Sequence, residues 1–342
     1  MTVDAPNALL HWYAVDKRAL PWRAAEEEKA DPYRVWLSEV MLQQTTVAAV
    51  RPYFEKFTVR WPSVRALAAA EDSEVMSAWA GLGYYARARN LLACARAVAA
   101  EHGGRFPSEE AELRRLPGIG RYTAAAIASI AFGRRAVVVD GNVERVVSRL
   151  FAVREALPGA RERLYALADR LTPQTHCGDH AQAMMDLGAT ICTPRSPECG
   201  RCPLAAMCEA RLEGRPELYP VKAPKTAKPR KRGVAYWLEH EGHVLLVRRP
   251  ARGLLGGMLA LPTGDWGAEA GPGAPVAAEW KEAGEIDHVF THFALNLRVH
   301  CAEAEARGED DIWWPIGDLE QAGLPTVFAK AAARGAAWKR AA

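Results

Sequence analysis

A chain of 342 residues is long enough for two domains. Its hydrophobic content of 49% and charged content of 25% are ordinary for a soluble globular protein, and no apolar run is long enough to span a membrane. A net charge of +3 excludes nucleic-acid binding through a global positive field, so any such contact must come from local clusters and backbone dipoles.

The start, Met1 to Asn7, carries Asp4 and no apolar core, which argues against a secretory signal. Seven cysteines, four of them crowded into one short segment, favour a metal centre in a reducing compartment over a disulfide frame. A cytoplasmic location is expected.

Residues 7 to 213 read as helices with short connections. Asp31-Pro32 is a start signal, because Asp can cap and Pro suits the first turn. Trp36, Val40 and Val47 recur at helical spacing, and Pro52, Pro62, Pro107 and Pro158 are expected to punctuate later segments. Within Ser38-Glu39-Val40-Met41-Leu42-Gln43-Gln44-Thr45, a lone glutamate sits among apolar neighbours. If it faces an apolar pocket, desolvation raises its pKa and keeps the proton a general acid needs. Taken alone, a solvated helix-face carboxylate is the commoner fate of Glu.

Further on, Leu116-Pro117-Gly118-Ile119-Gly120-Arg121-Tyr122-Thr123 places a glycine loop between two helical patterns. Ala111, Leu113 and Leu116 suit the first helix, which Pro117 is expected to stop. The Ala-rich run to Phe132 suits the second. Free N–H groups at the start of the second helix form an anion site suited to a phosphate. An ordinary helix–helix corner reads the same way. Val137-Val138-Val139-Asp140-Gly141-Asn142 then sets an aspartate at a helix start, where it can cap and where the dipole favours its charge.

The most specific spacing is Cys192-x6-Cys199-x2-Cys202-x5-Cys208. Four thiolates in one segment held open by Pro194, Pro197 and Pro203 can wrap one tetrahedral or cubane centre, and zinc is the generic reading. Cys94, Cys177 and Cys301 lie outside the pattern and suit core or surface positions. From Tyr219 to Arg232, prolines alternate with Lys222, Lys225, Lys228, Arg230, Lys231 and Arg232 without an acid, which reads as an extended basic linker.

After that the period becomes two. Tyr236–His240 and Val244–Val247 flank Glu241-Gly242, a hairpin signal. Phe293, Leu295, Leu297 and Val299 alternate as a half-buried strand does. Gly253 to Pro262 reads as a glycine-broken apolar loop and strand, and Gly264 to Pro275 as an exposed loop. The C-terminal part is therefore expected to be a small α+β domain.

The string SEVMLQQT resembles the signature of adenine DNA glycosylases of the MutY type, and the glycine loop resembles the helix–hairpin–helix of base-excision glycosylases. The cysteine spacing matches, at every cysteine, the 4Fe–4S loop that closes the catalytic domain of those enzymes. This resemblance covers nearly the whole chain. It implies a mainly α catalytic domain over residues 1–215 with the iron–sulfur loop at 192–208. A basic linker at 216–233 and a Nudix-like lesion-recognition domain at 234–342 would follow.

The implied activity is removal of adenine mispaired with 8-oxoguanine or guanine in double-stranded DNA, by a monomer. Glu39 would be the general acid. Asp140, with Tyr122 and Asn142, would stabilise the sugar cation, as in retaining glycoside hydrolysis. Relatives that nick DNA carry a lysine at the position of Tyr122; tyrosine cannot form a Schiff base, so a monofunctional enzyme is implied. This also disfavours an endonuclease III-like activity. Some adenine glycosylases have a lysine where this chain has Glu144.

Arg18, Trp22 and Arg23 would line the pocket of the flipped base, and Gln182 would contact the exocyclic amine. Leu42, Gln44, Leu82 and Tyr84 would meet the DNA around the lesion pair. Gly118 and Gly120 would meet the backbone, with Arg195 and Arg201 near the cluster. Phe290-Thr291-His292 matches a Phe-Ser-His loop that in the family contacts the oxidised purine. The C-terminal domain lacks an R-E-x-x-E-E box, so no second hydrolytic activity is expected.

Overall fold

The structure is a computed structural model that describes residues 4–25, 28–224, 227–250, 253–269, 273–290, 292–308 and 311–338. The chain forms two compact units: residues 1–70 with 89–224, and residues 71–88 with 225–342.

The first unit is helical. Its helix starts follow local chemistry. The Asp31 carboxylate accepts the Tyr33 N–H at 2.9 Å, with Pro32 at the first position of the helix Pro32–Met41. That helix ends at Met41, and Gln44 turns the chain with φ +57°, so Val47 opens a new helix rather than extending the first. Pro52 does not punctuate. It lies inside the helix Val47–Arg60, where it forgoes one intrahelical hydrogen bond. The first helix of the glycine corner is also shorter than expected. Glu110–Leu113 ends four residues before Pro117, with Arg114 as its C-cap.

Gly118 has φ +73°, and a Cβ there would lie 2.6 Å from Asn90 Cβ. Gly120 is extended and has open space around its Cα, so only Gly118 requires glycine. The helices Gly141–Leu150, Arg161–Leu171 and Cys177–Thr190 share a core of Val143, Val146, Val147, Leu150, Leu164, Met184 and Leu187. Residues expected to begin the linker fold onto this unit. Leu157 N–H donates to the Val221 carbonyl at 2.9 Å, and Tyr219 is buried.

In the second unit a mixed sheet runs in the order β3-β2-β1-β5-β4, with β6 on β2. The strands are β1 Arg230–His240, β2 His243–Arg248, β3 Leu259–Ala260, β4 Lys281–Val289, β5 Ala294–Glu303 and β6 Ile312–Pro315. The basic residues from Arg230 thus belong to β1, not to a linker. They pair in parallel with β5 from Arg230–Ala294 to Glu239–Glu303.

Glu241 and Gly242 both have positive φ, +46° and +71°, as a two-residue hairpin turn requires. Leu295, Leu297, Val299 and Cys301 of β5 pack with Trp237 against the helix Thr326–Trp338. A Cβ on Gly335 would meet the Trp237 ring at 2.5 Å, so glycine lets the helix approach the sheet. Leu238, Leu245 and Ala302 cluster separately beneath Trp280 and Trp313.

Candidate active site

A cavity of about 1030 Å³ opens in the helical unit. Arg18, Trp22, Arg23, Glu39, Leu42, Gln44, Tyr122, Asp140, Asn142 and Gln182 all line it, although they come from five separate stretches of chain. A neighbouring cavity of about 1240 Å³ shares Arg18, Trp22, Arg23 and Gln182 but neither carboxylate.

Glu39 is only 6% exposed. Its Oε2 accepts the Tyr122 hydroxyl at 2.5 Å, and the same hydroxyl lies 3.4 Å from Met185 Sδ. Burial pushes the Glu39 carboxyl up to about 7. The negative charge of Asp140 adds to the rise, while the Tyr122 hydrogen bond and Arg23 oppose it. Tyr122 itself is driven well above its ordinary 10 by burial and by the two carboxylates, so it stays a neutral donor.

Asp140 is built differently. As N-cap of the helix Gly141–Leu150, its Oδ1 accepts the N–H groups of Asn142 and Val143 at 2.9 and 2.7 Å. Its Oδ2 accepts Asn142 Nδ2 at 2.8 Å. Burial still raises its carboxyl from the ordinary value, against these three donors. The dipole-favoured ionisation expected at a helix start is thus opposed by desolvation. The partners are all donors, and a carboxylate satisfies them without reorganisation.

Beside Asp140 lie two arginines, Arg145 half-buried and Arg149 buried. Arg145 donates to Asn142 Oδ1 at 2.9 Å, to the Gly188 carbonyl at 2.7 Å and to the Cys192 carbonyl at 2.7 Å. Arg149, 1% exposed, donates to Cys192 Sγ at 3.3 Å and to the carbonyls of Thr193, Pro194 and Tyr219.

The four loop cysteines are all half-buried. Burial raises the Cys202 and Cys208 thiols, and both also sense the charge of the other loop cysteines. Among the described residues, no three His, Cys, Asp or Glu converge closely enough to hold one metal ion. Four coupled sulfur donors beside a buried guanidinium fit an anionic cluster larger than a single ion, with one thiolate per iron.

Three segments of the chain match known family models. Residues 37–173 match the HhH-GPD superfamily of base excision DNA repair proteins, 192–208 the iron–sulfur binding domain of endonuclease III, and 233–334 a NUDIX domain. The adenine DNA glycosylase of Homo sapiens is 37% identical, over 88% of this chain and 67% of its own length. That of Buchnera aphidicola (Acyrthosiphon pisum) is 31% identical over 94% of this chain and 95% of its own.

This chain belongs to the adenine DNA glycosylase family.

The helical fold is also shared with a thermostable thymine-DNA glycosylase, at TM-score 0.55 and 33% identity over 61% of this chain and 95% of the other. Endonuclease III bound to DNA matches at TM-score 0.52 and 23% identity, over 63% and 99%. Residues 192–208 of this adenine DNA glycosylase family member are its iron–sulfur segment, and a 4Fe–4S cluster fits its cysteine-rich loop, which carries Cys192, Cys199, Cys202 and Cys208.

Arg18 and Arg23 are less free than expected. Both pair with Asp186, which is wholly buried: Arg18 Nε at 2.6 Å, Arg23 Nη1 and Nη2 at 2.7 Å each. Asp186 was not singled out by sequence, and neither were Arg145 and Arg149. The available signal was a lone acid inside Ala-Met-Met-Asp-Leu-Gly, and two arginines one turn apart after Asp140.

Gln182 Nε2 donates to the Gly178 carbonyl at 3.3 Å. Glu144, in place of the lysine of some relatives, pairs with Arg161 Nε at 3.1 Å. Arg201 pairs with Glu198, and Arg195 is exposed.

Gly118 and Gly120 belong to the helical unit but do not line the cavity. Leu82, buried, and Tyr84, 51% exposed, lie in the 71–88 segment of the second unit. Phe290 packs between His288 and Phe293, with ring centroids at 4.5 and 4.7 Å, and its carbonyl accepts Lys228 Nζ. His292 is exposed, and Thr291 lies outside the described residues.

Proposed function

We propose that the protein hydrolyses the N-glycosidic bond of adenine paired with 8-oxoguanine or guanine in duplex DNA, acting as a cytoplasmic monomer. It would be monofunctional and would leave an abasic site. The observation that carries this reading is Glu39: a carboxyl sealed in a cavity wide enough for a nucleoside, with its pKa raised to about 7.

Extrusion of the adenosine costs a few kcal/mol, least for a mispaired base. Glu39 gives its proton to N7 of adenine, which then leaves as a neutral base when the bond to C1′ breaks. Asp140, held by Asn142 and the Val143 N–H, faces the cationic sugar with its negative charge. Water adds to C1′ and its proton returns to the carboxylate pair. Arg18, Trp22, Arg23 and Gln182 enclose the base, while Leu42, Gln44, Leu82 and Tyr84 occupy the disturbed stack. Tyr122 has no amine, so no Schiff base forms and the strand is not nicked. A bound 4Fe–4S cluster would supply structural order to the 192–208 segment. The second unit, through Phe290, Thr291 and His292, would read the oxidised purine.

The test is an adenine:8-oxoguanine duplex assayed with and without alkali. Adenine release with strand scission only after alkali is expected, and borohydride should trap little covalent adduct. Scission without alkali together with strong trapping would refute the monofunctional reading. No adenine release at all would refute the activity.

A further inference from the structure

The loop before the helix Ala86–Glu101 carries a backbone cost that nothing in the cavity explains. Gly81, Gly83 and Tyr84 all have positive φ, at +98°, +70° and +49°. A Cβ on Gly83 would meet nothing within 4 Å, so conformation alone calls for glycine there. Tyr84 adopts the left-handed region without being glycine, Asn or Asp, which is uncommon. It is also 51% exposed, a large ring held out of the surface. Strained backbone that persists points to function when the surroundings over-determine it.

Here two buried side chains, Arg87 and Trp79, hold the turn. Arg87 is 8% exposed, and its guanidinium carbon lies 5.3 Å from the Tyr84 ring centroid and 5.4 Å from that of Trp79. Its Nη2 donates to the carbonyls of Leu82 and Gly83 at 3.2 and 3.4 Å, and its own N–H donates to the Tyr84 carbonyl at 2.8 Å. Trp79 Nε1 donates to the Gly83 carbonyl from the other side, at 3.1 Å. A planar cation thus stacks near two aromatic faces while its fork holds the turn, a combination lysine cannot reproduce.

We propose that Arg87 is a positioning residue that fixes the Tyr84 ring outward, ready to enter the base stack of the DNA. This deepens the function proposed above and rests on it. Pre-paying the ordering of loop and ring lowers the cost of binding and leaves the chemical step unchanged.

The experiment is a double-mutant cycle with single-turnover adenine release and duplex Kd, on the whole chain and an adenine:8-oxoguanine duplex. Tyr84→Ala should weaken binding roughly 5- to 100-fold, the range for loss of one stacked base. Arg87→Lys and Arg87→Gln should weaken binding severalfold with the rate at saturation unchanged. Neither should add to the loss already caused by Tyr84→Ala.

An equal penalty from Arg87→Lys in both backgrounds would leave the Tyr84 wedge standing and overturn the role given to Arg87. So would loss of cooperative thermal melting in both Arg87 variants. Unchanged binding by Tyr84→Ala would sink the wedge and the proposal together. Loss of adenine release in the parent chain would instead indict the proposed function.

Discussion

Two regions of the same cavity bury the same functional group in opposite ways. On the Glu39 side the helix Pro32–Met41 is buried along most of its length, and the Tyr122 hydroxyl donates to the carboxyl. On the Asp140 side a helix terminus aims two backbone N–H groups and an amide at the carboxylate. The contrast teaches that donor supply, and not burial alone, sets how readily a buried carboxyl gives up its proton, and the proposed roles of acid and anion rest on that difference. Both are raised by desolvation. Glu39 rises to about 7, the range a general acid needs at neutral pH, while at Asp140 three donors oppose the rise.

The sharpest way to break this comparison is Glu39→Gln. It should slow adenine release by about 10²- to 10⁴-fold, the range for loss of a positioned general acid, while duplex binding persists. Near-normal single-turnover release would remove Glu39 from its role.

The next effect concerns stability. The folded protein holds the Glu39 proton more tightly than the unfolded chain does. The stability this contributes is complete below the ordinary 4.5 and is lost as pH rises through about 7. At about 1.4 kcal/mol per pH unit, the loss approaches roughly 3 kcal/mol. Glu39→Gln cannot ionise and its amide oxygen still accepts from Tyr122, so the variant should melt above the parent at pH 8 and close to it at pH 4.5. A lower melting temperature at pH 8 would contradict the burial account.

Asp140→Asn should have the opposite sign and the smallest size. It sets one amide N–H group against Asn142 Nδ2, and the hydrogen bond lost there should lower stability by about 1 kcal/mol at pH 7 by denaturant unfolding. A neutral or stabilising outcome would mean that the three donors do not need the charge.

Much of the site was legible because it is written in short strings. SEVMLQQT spans one helix end and the turn after it, Asp140 is one helix cap, and the glycine corner and the cysteine spacing each occupy one short segment, where residue type and spacing decide the conformation. What was not legible is long-range or context-bound. Asp186 meets Arg18 and Arg23 across 168 and 163 residues, a contact no local pattern carries. Pro52 was read as a breaker, but the helix Val47–Arg60 tolerates it. The basic run after Pro229 resembles a linker by composition, yet pairing with the apolar strand Ala294–Glu303 makes it a strand. Arg149 reads as a surface charge until the cysteine loop closes over it and supplies acceptors to its guanidinium.

The most direct test of the two-carboxyl account is the pH dependence of single-turnover adenine release on an adenine:8-oxoguanine duplex. The rate should fall above pH 7 as Glu39 loses its proton, and fall again at acid pH as Asp140 gains one. A rate that stays flat from pH 6 to pH 9 would contradict it.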